Sequence, residues 1–122
     1  MNRSMKKTEV VFFLACAMTL PVSAEGFSSY EAPGFIDAFI TFCSETYPEK
    51  ARYYKQGILQ SFSCDKTVSE TEKMVSDIRN NPNAQVQVAY HRTFDETIKE
   101  FRRLTREQKN QVCEDGARAK TC

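Results

Sequence analysis

The chain has 122 residues, 41% of them hydrophobic, with 17 Lys plus Arg against 16 Asp plus Glu. This length suits one domain with a modest core, and the balanced charge lacks the strong basic excess that marks a nucleic-acid binder. Five cysteines in so short a chain make the redox compartment the first thing to establish.

Arg3, Lys6 and Lys7 precede an apolar run from Val10 to Leu20, which is followed by Pro21 and the small-residue triplet Val22-Ser23-Ala24. This three-part layout predicts a secretory signal peptide over residues 1–24, cleaved after Ala24. The run is shorter than the roughly 20 residues a membrane span needs, and no later run approaches that length. A lipidated Cys16 is the rival reading, disfavoured because Phe13 stands where a lipobox usually carries leucine. Cleavage removes Arg3, Lys6, Lys7 and Glu9, which leaves 14 basic against 15 acidic side chains. It also removes Cys16, leaving Cys43, Cys64, Cys113 and Cys122. An even set in an exported chain predicts two disulfides and a periplasmic or secreted destination.

Residues 25–32 contain glycine and serines without a period, and read as a flexible N-terminal arm ahead of a single helical domain over 33–122. From Pro33, suited to a first helical turn, Ile36, Phe39, Ile40 and Cys43 recur at helical spacing. Tyr47-Pro48 should break this helix, because the residue before proline is pushed out of helical geometry. Pro48 then opens a second helix with Ala51, Tyr54, Ile58 and Phe62 inward. Gly57 within it costs about 1 kcal/mol relative to alanine, which points to close packing there. Thr67 and Glu70 have capping-box spacing and open a third helix with Met74, Val75 and Ile78 inward. Asn80-Asn81-Pro82-Asn83 should end it, with an asparagine tolerant of left-handed geometry, and start a fourth helix at the proline. There Val86, Tyr90, Phe94, Ile98, Phe101 and Leu104 form the inward stripe. Thr105 and Gln108 repeat the capping-box spacing and begin a short last helix ending near Asp115-Gly116. With no hairpin signal and no repeat, the expected fold is all-α, a small bundle of four to five short helices stapled by two disulfides.

Helix geometry constrains the pairing. About 15 residues separate Glu49 from Cys64, over 20 Å of helix, whereas a disulfide needs Cα atoms within about 7 Å. Cys43 with Cys64 is therefore disfavoured. The reading leans to Cys43–Cys113 and Cys64–Cys122, with the opposite crossing as the alternative.

Chemistry is sparse. Cys43 could act as a nucleophile with His91 as base, but the four mature cysteines are accounted for as bridges. No two of them are spaced closely enough for the usual zinc motifs. His91, the only histidine, has Gln87 four residues before it and Asp95 four after; that row is an ordinary helix surface more often than a general base. Glycine-rich phosphate loops, GxSxG and HExxH are absent, so neither a cofactor nor an enzymatic activity is expected. Arg102, Arg103, Arg106 and Lys109 form one basic cluster, read as a solvated helix end, with an acidic protein partner as the less favoured alternative. Phe35, Phe39, Phe42, Tyr47, Tyr53 and Tyr54 crowd the first hairpin. A wide core seam explains most of them, while Phe42, Tyr47 and Tyr53 are expected outside as a protein-binding face.

The format of a signal peptide followed by a small helical domain with two bridges resembles several sorts of bacterial periplasmic protein, including immunity proteins against secreted toxins and acid-stress chaperones. This resemblance is one of architecture and carries no residue across. The expected function is non-enzymatic binding of another exported or envelope protein, as an inhibitor or immunity-type protein would do. An acid-stress chaperone is the alternative, and a small hydrolase using His91 the least favoured reading.

Overall fold

The computed structural model describes residues 30–119. Among them lie five α-helices and no strand: α1 (Glu31–Thr46), α2 (Ala51–Ser61), α3 (Val68–Arg79), α4 (Ala84–Arg102) and α5 (Arg106–Arg118), with a 3-10 turn at Pro48–Lys50 before α2. The all-α expectation holds for these residues. The predicted leader with its Ala24 cleavage site, residues 25–29 of the arm, and Cys122 lie outside the described residues.

Helix boundaries follow local chemistry, with small departures from the sequence reading. Helix α1 begins at Glu31, so Glu31 and Ala32 of the expected arm are helical. Pro33 still falls in the first turn, where its missing N–H has no intrahelical partner to lose. At the other end Tyr47 leaves helical geometry (φ −129°, ψ 73°) ahead of Pro48. Pro48 opens the 3-10 turn, and α2 starts three residues later than expected.

Both predicted capping boxes form. Thr67 Oγ1 accepts from the Glu70 N–H at 3.0 Å and Glu70 Oε1 from the Thr67 N–H at 2.8 Å; Thr105 and Gln108 repeat this at 3.1 and 3.0 Å. Helix α4 is opened by Asn83 rather than by Pro82, because the Asn83 carboxamide accepts from the Gln85 and Val86 N–H groups. Asn80 ends α3 at φ −100°, outside the left-handed region. Gly116 does not end α5, which runs on to Arg118. A Cβ on Gly116 would stand 2.2 Å from the Phe39 ring, so this glycine is there to admit an aromatic side chain.

Helix α1 is the centre of the bundle, packing on α4, α2 and α3. Its approach to α4 is backbone to backbone: a Cβ on Gly34 would lie 2.5 Å from the Tyr90 carbonyl oxygen. The fully buried positions of α4 are accordingly Val86, Tyr90, Thr93 and Thr97, while Phe94, Ile98, Phe101 and Leu104 of the predicted stripe are half-buried. Val86, Thr93 and Thr97 are compact enough for so close a seam, and the one large side chain buried there, Tyr90, ends in a hydrogen bond to Asp37 of α1.

On the other flank of α1, a core of Phe39, Phe42, Cys43, Tyr54, Ile58 and Cys113 joins α1, α2 and α5; a second cluster, Ile36, Leu59 and Val75, seats α3. Each such apolar side chain contributes roughly 1.5–3 kcal/mol of burial. Edge-on ring contacts run from Phe62 to Phe35, Phe39, Phe101 and Phe42 at centroid distances of 5.2–5.9 Å.

The Cys43–Cys113 disulfide is present, with both residues fully buried and Cα atoms 5.8 Å apart. Of the two bridges expected this is the one described; Cys64 lies on the bend after α2, and its expected partner Cys122 is outside the described residues. Beyond the bridge, a Cβ on Gly57 would meet the Ala117 carbonyl oxygen at 2.5 Å, the close packing its position implied. The Ser61 hydroxyl adds a 2.7 Å hydrogen bond to the Gly116 carbonyl.

Candidate functional site: a tyrosine corner beside the buried disulfide

The break at Tyr47-Pro48 turns the chain so that Tyr47, Lys50, Tyr53 and Tyr54 gather at one corner. The Tyr47 N–H donates to the Cys43 carbonyl at 3.0 Å, and the Lys50 N–H to the Tyr47 carbonyl at 2.9 Å, so the turn is fixed by its own backbone. The disulfide then supplies a residue from the far end of the chain, because Glu114 directly follows Cys113. Its Oε2 accepts from Lys50 Nζ and from the Tyr54 hydroxyl, each at 2.6 Å. Its Oε1 takes a longer 3.4 Å contact from the Tyr53 hydroxyl.

The aromatic rings close the arrangement. Lys50 Nζ stands 5.1 Å from the Tyr53 ring centroid and 5.0 Å from that of Tyr54, a cation–π geometry. The Tyr54 ring lies 5.2 Å from Tyr53 and 5.8 Å from Tyr47. Tyr54 is fully buried, whereas Tyr53 keeps 44% of its surface exposed.

Electrostatics bind the charged pair to the corner. The hydrogen bond from Lys50, then that from Tyr54, holds the Glu114 carboxyl below its ordinary pKa. The same Glu114 contact raises Lys50, which remains a cation and is no base at neutral pH. Burial, then the bond to Glu114, raises the Tyr54 phenol, so it stays protonated. The corner thus presents a fixed ammonium, a fixed carboxylate and an open aromatic face, and among these groups none is an activated nucleophile.

The residues expected at a binding face fare unequally. Phe42 is a correction: it is only 6% exposed, because it lies on the α1 face that packs the Phe101 ring at 5.2 Å. Tyr47 is half-buried against the core, and Tyr53 is open. Sequence reasoning missed Lys50, Tyr54 and Glu114 as a unit. The signal was indirect: a Cys43–Cys113 bridge necessarily brings Glu114 near the turn that follows Cys43.

The other candidates assemble no chemistry. Cys43 lies in a disulfide, which removes it as a nucleophile. His91 is exposed on α4 with its ring edge-on to Tyr90 at 5.1 Å. Gln87 turns away from it, donating its amide to the carbonyls of Ile78, Arg79 and Asn81 at the end of α3. Among the described residues no group of three or more His, Cys, Asp or Glu side chains could hold a metal ion. Asp37 accepts from the Tyr90 hydroxyl and, at 3.1 Å, from Arg79 Nε, a polar joint between α1, α4 and α3. Burial, then the bond to Asp37, raises the Tyr90 phenol. A shallow depression along Ala84, Gln85, Val88, Ala89 and Arg92 has one charged group, Arg92, already paired with Glu31 at 3.0 Å.

No helix among the described residues is long and apolar enough to cross a membrane. The chain matches no known protein-family model, no curated protein and no solved structure.

Proposed function

We propose that this chain is a non-enzymatic, exported protein that binds another exported or envelope protein through the corner formed by Tyr47, Lys50 and Tyr53. The observation that carries this reading is Tyr53: the residue keeps 44% of its surface exposed, yet it is flanked by Tyr54, Lys50 and Glu114. Tyrosine is enriched at binding hot spots, and a side chain ordered before association loses less entropy on binding. The reading includes a leader cleaved after Ala24, a periplasmic or secreted location, a single domain over 33–122, and a second bridge between Cys64 and Cys122. A photo-cross-linking amino acid at position 53, introduced in the producing cell, tests it. The expected result is one discrete protein adduct at position 53 that is missing with the same probe at position 73. Indistinguishable adducts at both positions would sink the reading.

A second reading, an acid-stress chaperone, is favoured by one observation: Glu114, which ties α5 to the corner, holds Lys50 as an ion pair only while its carboxyl is ionised. Acid that neutralises it would loosen α5 from the core. Apolar-dye binding through a pH titration separates the two readings, since an unchanged folded signal down to about pH 3 would remove the chaperone.

A further inference from the structure

The ion pairing of the surface is uneven. Outside residues 99–109, every described cation except Arg52 reaches a carboxylate, at distances from 2.6 Å for Lys50 to 3.7 Å for Arg118. Between 99 and 109 the pattern reverses. Lys99, Arg102, Arg106 and Lys109 have no carboxylate partner among the described residues, and Arg103 has only an exposed 3.4 Å contact to Glu100 one turn away. Asp95, spaced to pair with Lys99 on α4, makes no ion pair with it.

Apart from Phe101, whose ring packs on Phe39 and Phe42, and the half-buried Leu104, this stretch faces largely outward. It is the elbow where α4 ends at Arg102 and α5 begins at Arg106, and no residue from Lys99 to Gln111 is buried. Helix α5 first meets the core at Val112 and Cys113, so its first six residues lie ahead of that anchor along about 9 Å of helix. The chain as a whole is close to neutral, and an unpaired cluster on an outward-facing elbow is therefore a local feature rather than an effect of composition.

We infer that the elbow formed by Lys99, Arg102, Arg106 and Lys109 docks against an acidic protein surface. The inference rests on the binding reading above and adds the partner's chemistry. Arginine offers a planar fork that matches carboxylates two bonds at a time, and unpaired cations at the rim of an interface steer encounter and select partners by charge. A membrane surface fits less well, because the elbow has no exposed apolar side chain to insert; the exposed large hydrophobic residues Tyr30, Tyr53 and Val88 all lie elsewhere. A nucleic acid fits less well too, because Glu100 and Glu107 interrupt the cations and leave no continuous basic track.

The test uses the oxidised mature chain and a fluorescein-labelled oligo-glutamate peptide, followed by anisotropy at about 50 mM and about 300 mM salt. Arg102→Gln with Arg106→Gln is compared with Lys66→Gln with Lys73→Gln, which removes the same charge elsewhere. The expected result is low-salt binding weakened about fivefold or more by the elbow pair, less than about twofold by the control pair, and lost at the higher salt. No peptide binding, equal weakening by both pairs, or tighter elbow-dependent binding of phosphatidylglycerol vesicles or duplex DNA would overturn the inference. The peptide affinity is read on the purified chain and the cross-link at position 53 in the producing cell, so failure of one is distinguishable from failure of the other.

Discussion

Helices α4 and α5 join the bundle by different physical means, α4 on α1 and α5 chiefly on α2. Helix α4 has 19 residues and seats Val86, Tyr90, Thr93 and Thr97 against a neighbour whose Gly34 lets the backbones touch. Helix α5 has 13 residues of strongly polar composition and fully buries only Cys113. Its attachment is a covalent bond to α1, glycine contacts at Gly57 and Gly116, and polar pegs at Ser61 and Glu114. The difference teaches that a helix with a broad buried face docks through its surface, whereas a helix lacking one can be docked through a few fixed points. Those fixed points deliver Glu114 to the tyrosine corner and leave the first turns of α5 facing outward with their cations unpaired.

The contrast is broken most directly by removing the bridge. Cys43→Ala with Cys113→Ala releases a closed segment with a sequence separation of 70, for which chain entropy predicts a loss of about 4 kcal/mol. Urea unfolding measures the loss, and amide hydrogen exchange locates it: α5 should lose protection ahead of α4. Equal loss in both helices would show that they are not held differently.

A smaller effect with the opposite location is expected at Gly34. Alanine there would place its Cβ 2.5 Å from the Tyr90 carbonyl oxygen, a backbone atom that cannot rotate away. Overpacking of this kind costs about 1–3 kcal/mol, and the amides of α1 and α4 should register it while α5 stays protected by its bridge. A variant as stable as the parent would mean that the two helices can separate without cost.

What could be read beforehand divides along the same line. The apolar spacing of Ile36, Phe39 and Cys43, the capping pairs at Thr67 and Thr105, and the Tyr47-Pro48 break all act within a few residues, so they were legible and gave the helices. Helix length ruled out Cys64 as the partner of Cys43 but left Cys113 and Cys122 both open, so the Cys43–Cys113 pairing was favoured and not fixed. Contacts at a distance were not legible. Gly116 looks like a helix terminator until the Phe39 ring is seen to occupy its Cβ position. Phe42 looks like surplus aromatic surface until Phe101 comes to cover it from α4. Lys50 and Glu114 are 64 residues apart, and neither is unusual in its local sequence. The unpaired state of the elbow cations is invisible for a related reason, since Asp95 has the spacing to pair with Lys99 and does not.

The gentlest way to sharpen the comparison is to titrate the corner. Lys50, and after it Tyr54, lowers the Glu114 pKa in the folded chain, so as pH falls the unfolded chain takes up this proton first. The stability contributed by the Glu114 charge is therefore fully present above its ordinary value of 4.5 and is lost as pH falls through the lowered folded value. Glu114→Gln keeps an oxygen that can accept from the Tyr54 hydroxyl and removes the charge that holds Lys50. The thermal midpoint of the parent should exceed that of the variant by a constant, small margin from about pH 8 to about pH 5, and the margin should close below about pH 4. Hydrogen exchange should assign the margin to α5 and leave α4 unchanged, because Glu114 touches α2 and its preceding turn alone. A margin that persists undiminished at about pH 3 would mean that shape, and not the carboxylate charge, seats α5 at the corner. Proton uptake at one carboxylate would then be no route to releasing the helix, and the tyrosine corner would be as fixed in acid as it is at neutral pH.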